Sequence, residues 1–185
     1  MTKNTEADDK YSAFDNLVNI LETGEIWGSS KTKGFIKGPN KAACFMDVPF
    51  ASLKYVLTPE NSDPQAPRYE PYGIALTKGY AYSKGCRPVL YLSNEEIKTI
   101  GVPDDELWRV VRFEVRNKNW ISWLHEREWR SKGDFELPSS VHAVLVRNTI
   151  DAEKLRKCIQ KNPKKFKCKP KSIVPLSVVC QGLLK

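Results

Sequence analysis

Tyr72-Gly73-Ile74-Ala75-Leu76-Thr77, Arg87-Pro88-Val89-Leu90-Tyr91-Leu92, Leu107 to Val115 and Val141-His142-Ala143-Val144-Leu145-Val146 are the segments on which the fold class turns. Each is rich in β-branched and aromatic residues with partial alternation, the pattern of a half-buried strand. One helical stretch, Asn94 to Ile100, lies among them and another, Asp151 to Lys161, follows them. Strand and helix follow one another without the regular βαβ rhythm of a doubly wound sheet. The sequence therefore predicts a single α+β domain, a mixed and mostly antiparallel sheet with flanking helices.

Working outward, Phe14, Leu17, Val18 and Leu21 fall on one helical face, with Ser12 as N-cap and Gly24 as the stop. Ile26-Trp27 starts an extended piece, and residues 31–40 form a polar loop. Ala42 to Met46 reads as a buried strand, and Pro49 suits the first turn of a helix through Leu53 and Val56. Four prolines between Thr58 and Pro71 mark a long loop, of the kind that serves as a lid or binding element. Ile173 to Val179 returns as a last strand, which Pro175 confines to a sheet edge. The expected organisation is a disordered leader (1–10), an α+β body (11–150), and a basic C-terminal helix with a final edge strand (151–185) in the same domain.

The 185 residues carry 30 Lys+Arg against 22 Asp+Glu, a formal charge of +8. The excess is local: residues 151–185 hold ten basic and two acidic side chains, and the preceding 150 residues balance. A basic segment beside a neutral body points to a polyanion, nucleic acid first, with a solvated charged face as the other reading. The residues expected to make that contact are Lys154, Arg156, Lys157, Lys161, Lys164, Lys165, Lys167, Lys169 and Lys171.

No apolar run reaches the length of a membrane span, and residues 1–10 lack a secretory apolar stretch, so the expectation is a cytoplasmic protein with no membrane partner. Five cysteines without a C-x-x-C pair fit a reducing compartment and argue against a zinc ribbon, and two histidines exclude a His-rich site; no metal is expected. The signatures of P-loop, Rossmann, kinase and α/β-hydrolase sites are absent from the sequence.

The densest chemical segment is Trp120-Ile121-Ser122-Trp123-Leu124-His125-Glu126-Arg127-Glu128-Trp129-Arg130. If residues 126–130 are extended, Glu126, Glu128 and Arg130 share one face, and Arg127 and Trp129 the other. Two carboxylates beside a guanidinium suit either a general base or a structural ion-pair ladder. Trp120, Trp123 and Trp129 either stack a planar ring or fill the core, with core filling expected for at least two. His125 reads as a catalytic acid or base or as a surface histidine, the latter favoured because no nucleophile partner is visible beside it.

Three blocks in order carry a resemblance. They are Tyr11 to Trp27; Cys44-Phe45-Met46-Asp47-Val48-Pro49-Phe50 with Tyr72 to Lys78; and Gly85-Cys86-Arg87-Pro88-Val89-Leu90-Tyr91 with Glu126-Arg127-Glu128-Trp129-Arg130. Over about residues 11–147 this order resembles the AbiGi-type abortive-infection proteins of bacteria, which implies a phage-defence or toxin-antitoxin role. That group is similar in turn to DarT-type ADP-ribosyltransferases, which modify nucleic acid using NAD, through the opening helix and a late Glu before a strand. The resemblance implies an ADP-ribosyltransferase-like fold and NAD as cofactor. Glu128 then stands as catalytic carboxylate with Glu126 as alternate, and Arg127, Arg130, Trp129 and Ser12 hold the cofactor. Cleavage of the nicotinamide glycosidic bond passes through an oxocarbenium-like state, which such a carboxylate stabilises. Families of this kind carry a His before the Ser or Thr that precedes the first helix; here the stretch is Asp9-Lys10-Tyr11-Ser12, with the hydroxyl and without the His. The alternative is a non-catalytic protein that binds nucleic acid or a cognate toxin, in the manner of an antitoxin.

Overall fold

The structure, a computed structural model, describes residues 12–30, 35–58, 69–116 and 118–180. The expected leader, residues 31–34 of the polar loop and 59–68 of the proline-rich loop lie outside the described residues. The chain is α+β, built from short helices and small sheets of two or three strands in place of one continuous sheet. It divides into two compact units. One comprises residues 1–25, 49–77 and 137–185, the other 26–48 and 78–136.

In the first unit the helix Ala13–Thr23 is fixed at both ends by its own sequence. Ser12 Oγ accepts the Asp15 N–H at 3.2 Å while the Asp15 carboxylate accepts the Ser12 N–H at 3.1 Å, a reciprocal capping box. Gly24 closes the helix at φ +70°, a conformation that costs a side-chain-bearing residue about 1–2 kcal/mol. Ala13, Phe14, Leu17 and Leu21 face the core. The central strand Ala143–Val146 is buried along its whole length. It pairs antiparallel with Gly73–Ala75 and parallel with Ile173–Pro175, which lies at the edge as Pro175 requires. The expected strand ends there: Pro175 caps a short helix, Leu176–Val179, and the Cys180 N–H returns to the Leu176 carbonyl at 2.7 Å. Asn148 caps the helix Thr149–Lys161, which buries Ala152 and Leu155. Leu17, Leu21, Leu57, Val144, Leu155 and Leu176 are wholly buried, each worth roughly 1.5–3 kcal/mol of hydrophobic stabilisation.

In the second unit, Glu128–Lys132 lies between Ala42–Met46 and Arg87–Pro88, antiparallel to both. Leu90–Leu92 pairs parallel with Val110–Arg112, and Glu114–Arg116 forms a hairpin with Asn119–Ile121. The segment Leu107 to Val115 is not one strand. Asp104–Arg109 is a 3₁₀ helix, because Pro103 followed by Asp104, Asp105 and Glu106 is the chemistry of a helical first turn. Phe113 then separates two short strands, its N–H bonded to the Leu92 carbonyl at 3.1 Å. Among the described residues no helix is long and apolar enough to cross a membrane.

Candidate functional site

The Trp120–Arg130 segment departs from the expected extended geometry at one residue. Arg127 adopts φ +46° and closes a 3₁₀ turn over Leu124–Glu126, so the strand begins only at Glu128. Glu126 therefore stands on the turn, outside the strand face it was expected to share. Glu128 and Arg130 do share a face, and they are paired. Arg130 Nε donates to Glu128 Oε1 at 2.7 Å and Nη2 to Oε2 at 3.2 Å. Arg130 Nη1 donates to the carbonyls of Trp108 and Val110 at 2.9 and 3.2 Å. Both side chains are buried, with relative exposures of 4% for Arg130 and 10% for Glu128. A planar guanidinium with a bidentate carboxylate and two carbonyls is a closed, satisfied arrangement.

Two further groups adjoin the pair that sequence patterning did not nominate. The Glu128 N–H donates to Tyr91 Oη at 3.2 Å, and burial raises the Tyr91 phenol above its ordinary pKa. Cys44 is opposite Arg130 in the sheet register. The residue is exposed, but desolvation of its thiol, reinforced by the Glu128 carboxylate, pushes the pKa up to about 12. A thiol held protonated is a poor nucleophile. Strand pairing alone brings Cys44 here, which is why spacing along the chain gave no sign of it.

The other nominated residues scatter. Arg127 is exposed and reaches Asp47 Oδ2 at 3.3 Å; Asp47 also accepts from Lys78 Nζ at 2.7 Å. Trp129 is half-buried on the opposite sheet face, in register with Phe45 and Pro88. Ser12 belongs to the first unit and spends its hydroxyl on Asp15. Of the three tryptophans expected mainly in the core, Trp120 is 70% exposed and Trp123 and Trp129 are half-buried; the buried one is Trp108, at 4%. The reason is local: Trp120 sits in a two-stranded hairpin, with the Phe113 ring 6.0 Å away. An open cavity of about 660 Å³ is lined by Ser93, Asn94, Glu96, Phe113, Glu114 and Val115, and none of these was nominated from sequence. Among the described residues no cluster of His, Cys, Asp and Glu is placed to hold a metal ion.

The basic segment keeps its residues together. All nine nominated cations are exposed and all belong to the first unit. Lys154, Arg156, Lys157 and Lys161 stand on the helix Thr149–Lys161, and Lys164 follows in the turn after it. From Lys165 onward the chain alternates: Lys165, Lys167, Lys169 and Lys171 are exposed, while Phe166 and Cys168 are buried at 5% and 0%. Backbone hydrogen bonds hold this alternation. Lys167 and Cys168 donate to the Glu22 and Leu21 carbonyls at 3.4 and 3.0 Å, which satisfies the end of the opening helix. Lys169 and Lys171 donate to Ser139 and Val141 at 3.0 and 2.9 Å, alongside the parallel pairing of Lys169–Pro170 with Ser140–Val141. Lys165 pairs with Glu22 at 2.8 Å, Arg156 with Glu153, and Lys154 Nζ lies 4.2 Å from the centre of the Phe14 ring. The alternation of Phe166 and Cys168 with lysines is visible in the sequence and identifies an anchored segment.

Comparison of the chain with family models, with curated proteins and with solved structures gave no match in any of the three.

Proposed function

We propose that this protein binds nucleic acid through the basic surface of residues 154–171. The observation that carries the reading is that nine cations stay exposed along one continuous segment whose backbone is tied down by buried anchors. A solvated charged face needs no such anchoring, and a fixed cationic surface loses little order when phosphates bind it. The resemblance to AbiGi-type proteins supplies the setting, phage defence or a toxin-antitoxin pair acting in the cytoplasm. The test is binding of a labelled oligonucleotide at several salt concentrations. Affinity falls steeply with salt if lysines displace counterions from phosphates. Salt-independent binding, or none, removes nucleic acid from the account and leaves a cognate toxin or antitoxin as partner.

A second reading is NAD-dependent ADP-ribosyl transfer to nucleic acid on an ADP-ribosyltransferase-like fold. The observation in its favour is that Glu128 is held rigidly at the start of a strand by Arg130 and Tyr91. Both carboxylate oxygens accept guanidinium N–H groups on a side chain only 10% exposed, so this reading requires the Arg130 pair to open towards a ribose hydroxyl. In this reading Glu128 orients the 2-hydroxyl and stabilises the oxocarbenium-like charge, while NAD supplies the ADP-ribosyl group. Incubation with labelled NAD and DNA or RNA tests it; label transfer or NAD hydrolysis that survives in Glu128→Gln removes Glu128 from the chemistry, and none in the native protein removes the enzyme.

A further inference from the structure

Resting on the nucleic-acid reading above, we infer that the basic surface selects double-stranded over single-stranded nucleic acid, gripping the phosphate backbone through the alternating lysines Lys167, Lys169 and Lys171. The chemistry of the segment is all charge. Its one aromatic residue, Phe166, is 5% exposed, and the Phe14 ring that Lys154 covers is also 5% exposed, so neither presents a face to a base. Surfaces that favour single strands gain much of their affinity by stacking successive bases on exposed aromatic rings. Within the described segment 154–171 that contribution is missing, and what remains there is the attraction of lysines for phosphate.

A charge-only surface prefers the ligand with the higher charge density. A duplex carries about one charge per 1.7 Å of axis against about 3.4 Å for one of its strands, and each neutralised phosphate contributes about 0.9 to the salt slope on a duplex against about 0.7 on a strand. The three lysines chosen are also the free ones of the alternating row. Lys165 is paired with Glu22, whereas Lys167, Lys169 and Lys171 are exposed without an ion pair among the described residues, on backbone bonded to Glu22, Ser139 and Val141. Phosphate contacts made this way carry no base information, so the preference is for duplex form and is indifferent to sequence.

The experiment measures fluorescence anisotropy of a labelled duplex of about 20 base pairs, and of each of its strands alone, across a salt series. The native protein should bind the duplex more tightly than either strand. The triple substitution Lys167→Gln, Lys169→Gln, Lys171→Gln should flatten the duplex slope of log K against log salt by about 2.7 and weaken binding about 100-fold at 0.15 M salt. The triple change of the same residues to Arg should stay close to native. A strand bound as tightly as the duplex, or a Gln triple that binds with an unchanged slope, overturns the inference and leaves nucleic-acid binding itself standing. No binding of duplex or strand at low salt overturns both. If circular dichroism shows the Gln triple unfolded, the native duplex-to-strand comparison and the Arg triple decide.

Discussion

Replacing Glu128 with Ala removes two of the four acceptors that surround the Arg130 guanidinium and leaves Nε and Nη2 facing a void, on a side chain only 4% exposed. Removing one partner of a buried pair strands the other's charge, at a cost of about 3–5 kcal/mol. That is a large share of a typical folding free energy of about 5–15 kcal/mol. The assay is urea unfolding followed by tryptophan fluorescence. Trp27, Trp108, Trp120, Trp123 and Trp129, all the tryptophans of the chain, belong to the unit that holds Glu128, so the signal reports on that unit alone. With an m-value of about 1.5 kcal/mol/M the midpoint should fall by about 2 M or more. Glu128→Gln, which keeps one acceptor, should fall between Ala and native. The double change Glu128→Leu with Arg130→Met removes both charges together and should recover most of the loss. A Glu128→Ala penalty under about 1 kcal/mol, or a double variant no better than the single one, would refute the assignment of this pair to stability. The same numbers govern the NAD experiment. Loss of activity in Glu128→Ala is interpretable only beside Glu128→Gln.

Gly24→Ala forces a side chain to φ +70° with Lys167 Cβ only 3.1 Å from the new methyl, and should cost about 1–2 kcal/mol in thermal unfolding by circular dichroism; a neutral result contradicts the left-handed cap. Iodoacetamide at neutral pH should label Cys44, despite its exposure, more slowly than a free cysteine, because its thiol pKa is about 12; peptide mapping that finds it the fastest-labelled site overturns this. The Ser93 backbone N–H, with help from the Ser93 hydroxyl, holds the Glu96 carboxyl below its usual pKa. A depressed folded-state pKa gives stabilisation that is present above the unfolded value of about 4.3 and lost as pH falls through the folded one. Carboxyl-carbon NMR titration should show that midpoint lowered, and Ser93→Ala should raise it partway, since the backbone donor remains; an unchanged midpoint contradicts the capping box.

Local chemistry makes the helices Ala13–Thr23 and Asn94–Ile100 legible, whereas Leu176–Val179 and the end of Asp104–Arg109 read as strand. Ser12 with Gly24, and Ser93 with Gly101, bracket their helices because capping and left-handed closure depend on residues only a few positions apart. Strands were legible as regions and not as units. The Arg87–Leu92 segment is interrupted at Val89, whose N–H turns to the Glu128 carbonyl at 3.1 Å, a partner fixed by tertiary pairing. The candidate site divides in the same way. That Glu128 and Arg130 share a face follows from strand alternation, whereas the displacement of Glu126 follows from a left-handed Arg127 that no residue preference announces. Cys44 and Tyr91 reach the pair through registers between strands distant in sequence.

The carbonyls of Leu21 and Glu22 are satisfied by the amides of Cys168 and Lys167, across almost the full length of the chain. During synthesis at about 5–20 residues per second, roughly 7 to 30 seconds separate the emergence of the opening helix from that of the segment which completes its end. Throughout that interval Leu17 and Leu21 lack most of the core that later covers them, and a chaperone or a partner protein has access to the apolar face of the helix. The first unit, drawn from residues 1–25, 49–77 and 137–185, is thus a late-closing structure, while every segment of the second is available once residue 136 has emerged. The basic surface of the first unit acquires a fixed shape only with that closure, and chains cut before Phe166 lose Lys167, Lys169 and Lys171 together with the anchoring that organises the rest.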